Sequence, residues 1–159
     1  MSNLENVMNK ITTEINNAKK ACAEQGLRLT PIREKVLCLL LEADKPMSAY
    51  DLLELYRSNA NSGAQPMTIY RALSFLQSLS LVHHLASTRQ YVACHHPEDH
   101  HHHQLTQFLM CDQCGHIEEN VLPDSLWQAI QKGAEKTQFF IEQPNLEIHG
   151  TCLHCQKMT

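Results

Sequence analysis

Two short cysteine pairs near the end of the chain, Cys111-x-x-Cys114 and Cys152-x-x-Cys155, constrain its fold more than any other feature. Two residues between thiolates let both sulfurs reach one ion with little strain. Two such pairs complete a closed tetrahedral site, the geometry and donor set that suit zinc. Gly115 directly after the first pair lets the chain turn beneath the metal. The 37 residues between the pairs are therefore expected to fold into a small metal-stapled domain. Zinc binding of about 10–16 kcal/mol in such sites becomes folding energy. A redox role would need a βαβ context, which neither pair has. The N-terminus lacks a basic stretch followed by an apolar one, so no secretory signal is expected and the chain is placed in a reducing cytoplasm. No run of about 18 apolar residues predicts a transmembrane helix.

The net charge of −4 conceals a division: residues 1–94 carry ten Lys/Arg and eight Asp/Glu, and residues 95–159 carry three and nine. A +2 half followed by a −6 half suggests two functional parts. In the first, Val7, Ile11, Ile15, Ala18 and Cys22 form a helical stripe over residues 4–25, closed by Gly26. Thr30-Pro31 opens a helix to about Ala43 with Ile32, Val36, Leu37, Leu40 and Leu41 inward. Ser48-Ala49-Tyr50-Asp51 has capping-box form and opens a helix with Leu52, Leu53 and Leu55 inward. A fourth helix, from Pro66 or Met67 to about Ser80, buries Ile69, Ala72, Leu73, Leu76 and Leu79 and presents Met67, Arg71, Ser74 and Ser78 on the other side. Leu81–Ala86 and Gln90–Cys94 then form a hairpin. Cys22 and Cys38 fall on apolar helical faces and are expected in the core.

The predicted architecture is α+β. An N-terminal winged helix-turn-helix domain spans 1–94, a histidine-rich linker spans 95–104, and a small α/β metal-binding domain spans 105–159. In the last, strands are expected at Leu105–Met110, Ile117–Val121, Phe139–Ile141 and Leu146–His149. A helix capped at Pro123-Asp124-Ser125 is expected to run to about Lys136.

A second group of donors is more dispersed: His83 and Cys94 on the hairpin, His100 to His103 in the linker, and Glu119 on the strand after the first cysteine pair. A mixed Cys/His/carboxylate set favours zinc over iron, and an ion held by two domains would constrain their orientation, as a sensor requires. The alternative is a wing histidine, a small core cysteine and a solvated linker. On the winged helix, Arg71 is suited to bidentate contact with guanine. Tyr50, Thr68, Tyr70 and Ser74 are candidate base or phosphate contacts, and Arg89 at the wing tip could enter a minor groove. Winged helices also serve as protein-interaction modules, and this one carries a single basic residue on its recognition helix. His149 is expected only to pack beside the second pair. No His-Glu-x-x-His helix or comparable motif supports a zinc hydrolase, so no enzyme activity is expected.

The runs Arg28-Leu29-Thr30-Pro31-x-Arg33, Ser48-Ala49-Tyr50-Asp51-Leu52-Leu53 and Thr68-Ile69-Tyr70-Arg71-Ala72-Leu73, followed by the two cysteine pairs, resemble the ferric uptake regulator family over residues 20–156. Cys94 ending the wing and Ile148-His149-Gly150-x-Cys152 resemble its zinc-uptake branch. The resemblance implies a zinc-responsive, homodimeric repressor that binds palindromic DNA operators of zinc-uptake genes, with residues 105–159 as the dimerisation domain. No membrane and no small-molecule substrate enter that picture. It implies two zinc ions per chain: a structural one on Cys111, Cys114, Cys152 and Cys155, and a regulatory one on His83, Cys94, Glu119 and a linker histidine. His103 is the expected linker ligand, with His102 and His101 as alternatives, because the stretch from Cys94 to Cys111 is longer than in the branch. Tyr50 and Arg71 match the family's base-contacting positions. Pro144 stands where iron-type relatives carry a further ligand, so no third site is expected. Iron, manganese or peroxide sensing on the same fold, and a zinc-storing interaction module, are the alternatives.

Overall fold

The computed structural model describes residues 2–43, 45–60, 63–94, 105–142 and 144–158. They belong to two compact units, Met1–His100 and His101–Thr159.

In the first unit, helix α1 spans Ser2–Glu24. It stops because Gly26 takes a left-handed φ of +69°, which lets the Leu27 N–H reach the Cys22 carbonyl at 2.8 Å and the Gly26 N–H reach Ala23 at 3.0 Å. This is a Schellman ending. Pro31 and Pro66 open α2 (Pro31–Glu42) and α4 (Pro66–Ser78), positions where a missing N–H costs nothing. Helix α3 spans Ala49–Ala60, and its capping box is formed. Asp51 N–H donates to Ser48 Oγ at 3.1 Å, and Ser48 N–H donates to Asp51 Oδ2 at 2.9 Å. The Ser48 hydroxyl also donates to that carboxylate, and these bonds hold Asp51 below the ordinary Asp pKa.

Val36, Leu52, Ile69, Leu73 and Leu76 are fully buried where α2, α3 and α4 pack together. Cys22 lies in this core and Cys38 packs against it. Val7, Ile32 and Leu55 were expected inward and are instead 50%, 37% and 40% exposed. Val7 precedes the part of α1 that is buried, which begins at Ile15. Ile32 lies in the first turn of α2, ahead of the buried Val36, Leu37, Leu39 and Leu40.

A second Schellman ending closes α4: Leu81 N–H donates to Leu76 and Ser80 N–H to Gln77, with Ser80 at φ +55°. It turns the chain into β1 (Val82–Leu85), which pairs antiparallel with β2 (Gln90–Ala93) from Val82 opposite Ala93 to Leu85 opposite Gln90. Arg89 closes the hairpin turn at φ +56°. Tyr91 of β2 also exchanges both backbone hydrogen bonds with Met47, at 2.8 and 3.0 Å, so the hairpin is fastened to the α2–α3 connection.

In the second unit, β3 (Thr106–Cys111) is the central strand of three. On one side β4 (Ile117–Val121) runs antiparallel, and on the other β5 (Asn145–Gly150) runs parallel, with Phe108 opposite both Glu119 and Glu147. Phe108 is completely buried. Helix α5 (Asp124–Lys136) makes the crossover and α6 (Leu153–Gln156) ends the chain. Two expectations are corrected. No strand forms at Phe139–Ile141: α5 ends in a third Schellman turn at Gln138, and the residues after it pair with neither open edge of the sheet, β4 or β5. Phe139 and Phe140 stand 69% and 82% exposed just beyond it. The start of α5 has Pro123 at the N-cap and no side-chain cap; Asp124 supplies only its charge to the first turn.

Among the described residues no helix is long and apolar enough to cross a membrane. The linker 95–104, including His100 to His103, lies outside the described residues.

Candidate metal centre and nucleic-acid interface

Parallel pairing of β3 and β5 brings the two cysteine pairs together. Both strands end at the same side of the sheet, with Cys111 opposite Gly150, so each strand delivers its cysteine pair to one point. The first pair turns tightly: Gly115 N–H donates to the Cys111 carbonyl and Cys111 N–H to His116, both at 2.9 Å, with Gly115 at φ +73°. The second begins at Cys152, the N-cap of α6, whose N–H donates to Cys111 Sγ at 3.3 Å.

All four sulfurs lie within 4.8 Å of one another, and Cys114 Sγ and Cys152 Sγ are 3.7 Å apart. A zinc tetrahedron with Zn–S bonds of about 2.3 Å has sulfur–sulfur edges of about 3.8 Å, so the cage fits that ion. None of the seven cysteines is in a disulfide.

The thiols are electrostatically unequal. The backbone N–H of Cys152, then that of Cys114, draws Cys111 down to about 6. Burial, then the neighbouring thiols of Cys114, Cys152 and Cys111, pushes Cys155 up to about 12. Four thiolates this close repel one another, and a divalent cation in place of their protons removes the conflict.

His83 on β1 and Cys94 just after β2 bring their donor atoms within 4.8 Å of one another. The Cys94 N–H donates to the Leu81 carbonyl at 2.9 Å, and its side chain is 9% exposed. Glu119 belongs to the second unit, half-buried on β4 opposite Phe108. The expected fourth ligand His103, and His101 and His102, fall outside the described residues.

One contact was missed in the sequence. His149 Nδ1 and Asp112 Oδ1 are 2.7 Å apart, which joins the first cysteine turn to the strand carrying the second. No local signal points to it, because it depends on the parallel β3–β5 register.

On the winged-helix unit, Tyr70, Arg71 and Ser74 are exposed along α4 and Thr68 is half-buried. Tyr50 is 66% exposed at the start of α3, and Arg89 is exposed at the hairpin turn. Two other arginines are engaged within the fold. Arg33 lies 3.4 Å over the Phe75 ring and donates to the Arg28 carbonyl. Arg57 donates twice to the Ala64 carbonyl, at 2.9 and 2.7 Å, holding the turn before α4. Arg71 and Arg89 therefore stand out as the cations of the α4 and hairpin surface.

Comparison with known proteins matches residues 24–149 to the model of the ferric uptake regulator family. The zinc uptake regulation protein of Escherichia coli K12 is 38% identical over 150 residues, covering 93% of this chain and 85% of that protein. A solved zinc uptake regulator complexed with zinc and DNA superimposes with a TM-score of 0.85 at 36% identity, over 93% of this chain and 96% of that one. The holo form of XcZur gives 0.79 at 39% identity, over 90% and 96%. With the winged helix, the four-cysteine cage and these likenesses together, the chain belongs to the ferric uptake regulator family.

Proposed function

We propose that this chain is a zinc-responsive transcriptional repressor, not an enzyme, which acts in the cytoplasm as a homodimer on palindromic operators of zinc-uptake genes. The observation that carries this reading is likeness along nearly the whole chain to a zinc uptake regulator complexed with zinc and DNA, joined to a four-sulfur cage of zinc dimensions. Two zinc ions per chain are proposed. Cys111, Cys114, Cys152 and Cys155 hold the structural one. His83, Cys94, Glu119 and His103 hold the regulatory one, across a hinge at 95–104 between a DNA-binding domain at 1–94 and a dimerisation domain at 105–159.

The physics is a population shift. Bound zinc supplies a bond between ligands of both domains, so the form in which those ligands converge is favoured. In the dimer, that form sets two α4 helices at the spacing of an operator's half-sites. Dimerisation is supported by apolar surface that stays partly or fully exposed among the described residues. Helix α5 has no buried residue although Leu126, Trp127, Ile130 and Ala134 line it, and Leu146 and Ile148 are exposed on the edge strand β5. Tyr50, Thr68, Tyr70, Arg71, Ser74 and Arg89 are assigned to DNA contact.

The test is a titration of operator binding by the full chain with zinc, iron(II) and manganese(II) in turn. Zinc is expected to tighten binding. Equal binding by protein stripped of regulatory metal, with its cysteine-held ion in place, overturns the reading; a response to iron or manganese alone moves the chain to another branch. Arg71→Ala is expected to weaken operator binding by about 1–3 kcal/mol and to relax preference at one base pair if Arg71 reads guanine bidentately. Equal loss on operator and random DNA, measured side by side, would make it a phosphate contact.

A further inference from the structure

We propose that Asp112 and His149 form a positioning pair for the four-cysteine centre, in which the His149 ring holds and orients, by a hydrogen bond, a carboxylate that would otherwise work against the metal. This rests on the zinc reading of that centre.

Asp112 lies inside the first cysteine turn, between Cys111 and Cys114. A divalent ion with four thiolates carries a net charge of −2, so a further carboxylate in the same short turn is a like charge. The turn is anchored by Asp112 N–H donating to the Gly150 carbonyl at 2.9 Å. From that anchor the carboxylate is met by the ring of His149, the residue directly before Gly150 on β5 and three before Cys152. An Nδ1–H donated to Asp112 Oδ1 at 2.7 Å is a charge-assisted bond, which directs the carboxylate onto the ring. The same bond couples the backbone of one cysteine pair to that of the other, as does the Cys152 N–H to Cys111 Sγ bond beside it.

The His149 and Asp112 side chains are 40% and 62% exposed, so their contact adds little to global stability. Their effect belongs to the metal: outer contacts of this kind change metal affinity by roughly 10–100-fold when removed.

The geometry supplies a discriminating pair of substitutions. In His149→Asn the amide nitrogen takes the place of ring Nδ1 and keeps the bond. In His149→Gln an equally polar amide reaches the place of Nε2 and misses it. Zinc release from the full, zinc-loaded chain into excess chromogenic chelator is followed, and the slow phase is assigned to the four-cysteine site by its persistence in Cys94→Ser. His149→Gln is expected to accelerate the slow phase roughly tenfold, and His149→Asn to leave it near the wild-type rate. Adding Asp112→Asn to His149→Gln is expected to slow release again, because the orphaned charge is gone. Equal rates for His149→Gln and wild type, equal rates for the Gln and Asn variants, or a double variant as fast as His149→Gln each overturn the pair while leaving the zinc reading intact. Absence of any slow zinc in the wild-type chain overturns both.

Discussion

Cys155→Ser is expected to unfold the second unit while leaving the winged helix folded. Cys155 is buried in the cage, and a serine hydroxyl cannot take its place as a thiolate ligand. Zinc binding of about 10–16 kcal/mol is comparable to the whole stability of an ordinary domain, about 5–15 kcal/mol. The second unit has little reserve to absorb that loss. Its buried apolar residues, among those described, are Leu105, Phe108, Met110 and two of the zinc-cage cysteines, and α5 buries none. The first unit has a core from Ile15 to Ala93 that includes none of the four clustered cysteines. Circular dichroism of the variant should show the strands lost and a separate helical melt retained, with zinc content falling accordingly. A single melt unchanged from wild type would show that the sheet folds without the cage.

Cys94→Ser is expected to keep one tightly held zinc per chain and to lose the zinc dependence of operator binding. Cys94 is remote in sequence from the cage, so the structural ion stays. Its thiolate is the soft ligand of the proposed regulatory set, and its loss removes the ion's preference for one arrangement of the chain over another. Couplings between two sites commonly amount to 1–3 kcal/mol, so the loss should appear as a fall of roughly 5–150-fold in operator affinity at saturating zinc. By reciprocity, operator DNA should no longer raise zinc affinity. Zinc stoichiometry and operator titration on the same preparation decide it; a variant that still tightens on DNA with added zinc removes Cys94 from the sensor.

The helices of the first unit were legible because their cores follow a helical period and their ends carry chemical stops. Pro31, Pro66, Gly26 and the Ser48–Asp51 box all function where the sequence places them. The cysteine cage was legible from spacing alone, since thiolate pairs two residues apart have few other uses. What escaped was non-local. Nothing in the sequence states that β5 runs parallel to β3, so neither the His149–Asp112 contact nor the absence of a strand at Phe139–Ile141 could be read from it. Arg33 over Phe75 and Arg57 on Ala64 escaped for the same reason: a basic residue in a DNA-binding sequence reads as a surface charge until the fold gives it an internal partner. Four adjacent histidines offer no register to choose among them.

The two backbone bonds between Tyr91 and Met47 make the wing a fixed limb and not a loose flap. Cys94 lies three residues beyond Tyr91, and Ser48, which anchors the start of α3, directly follows Met47. A tug on the chain at Cys94 is therefore passed through paired backbone to the start of α3, and the proposed metal-sensing thiolate is tied by that short route to the helices proposed to meet a promoter.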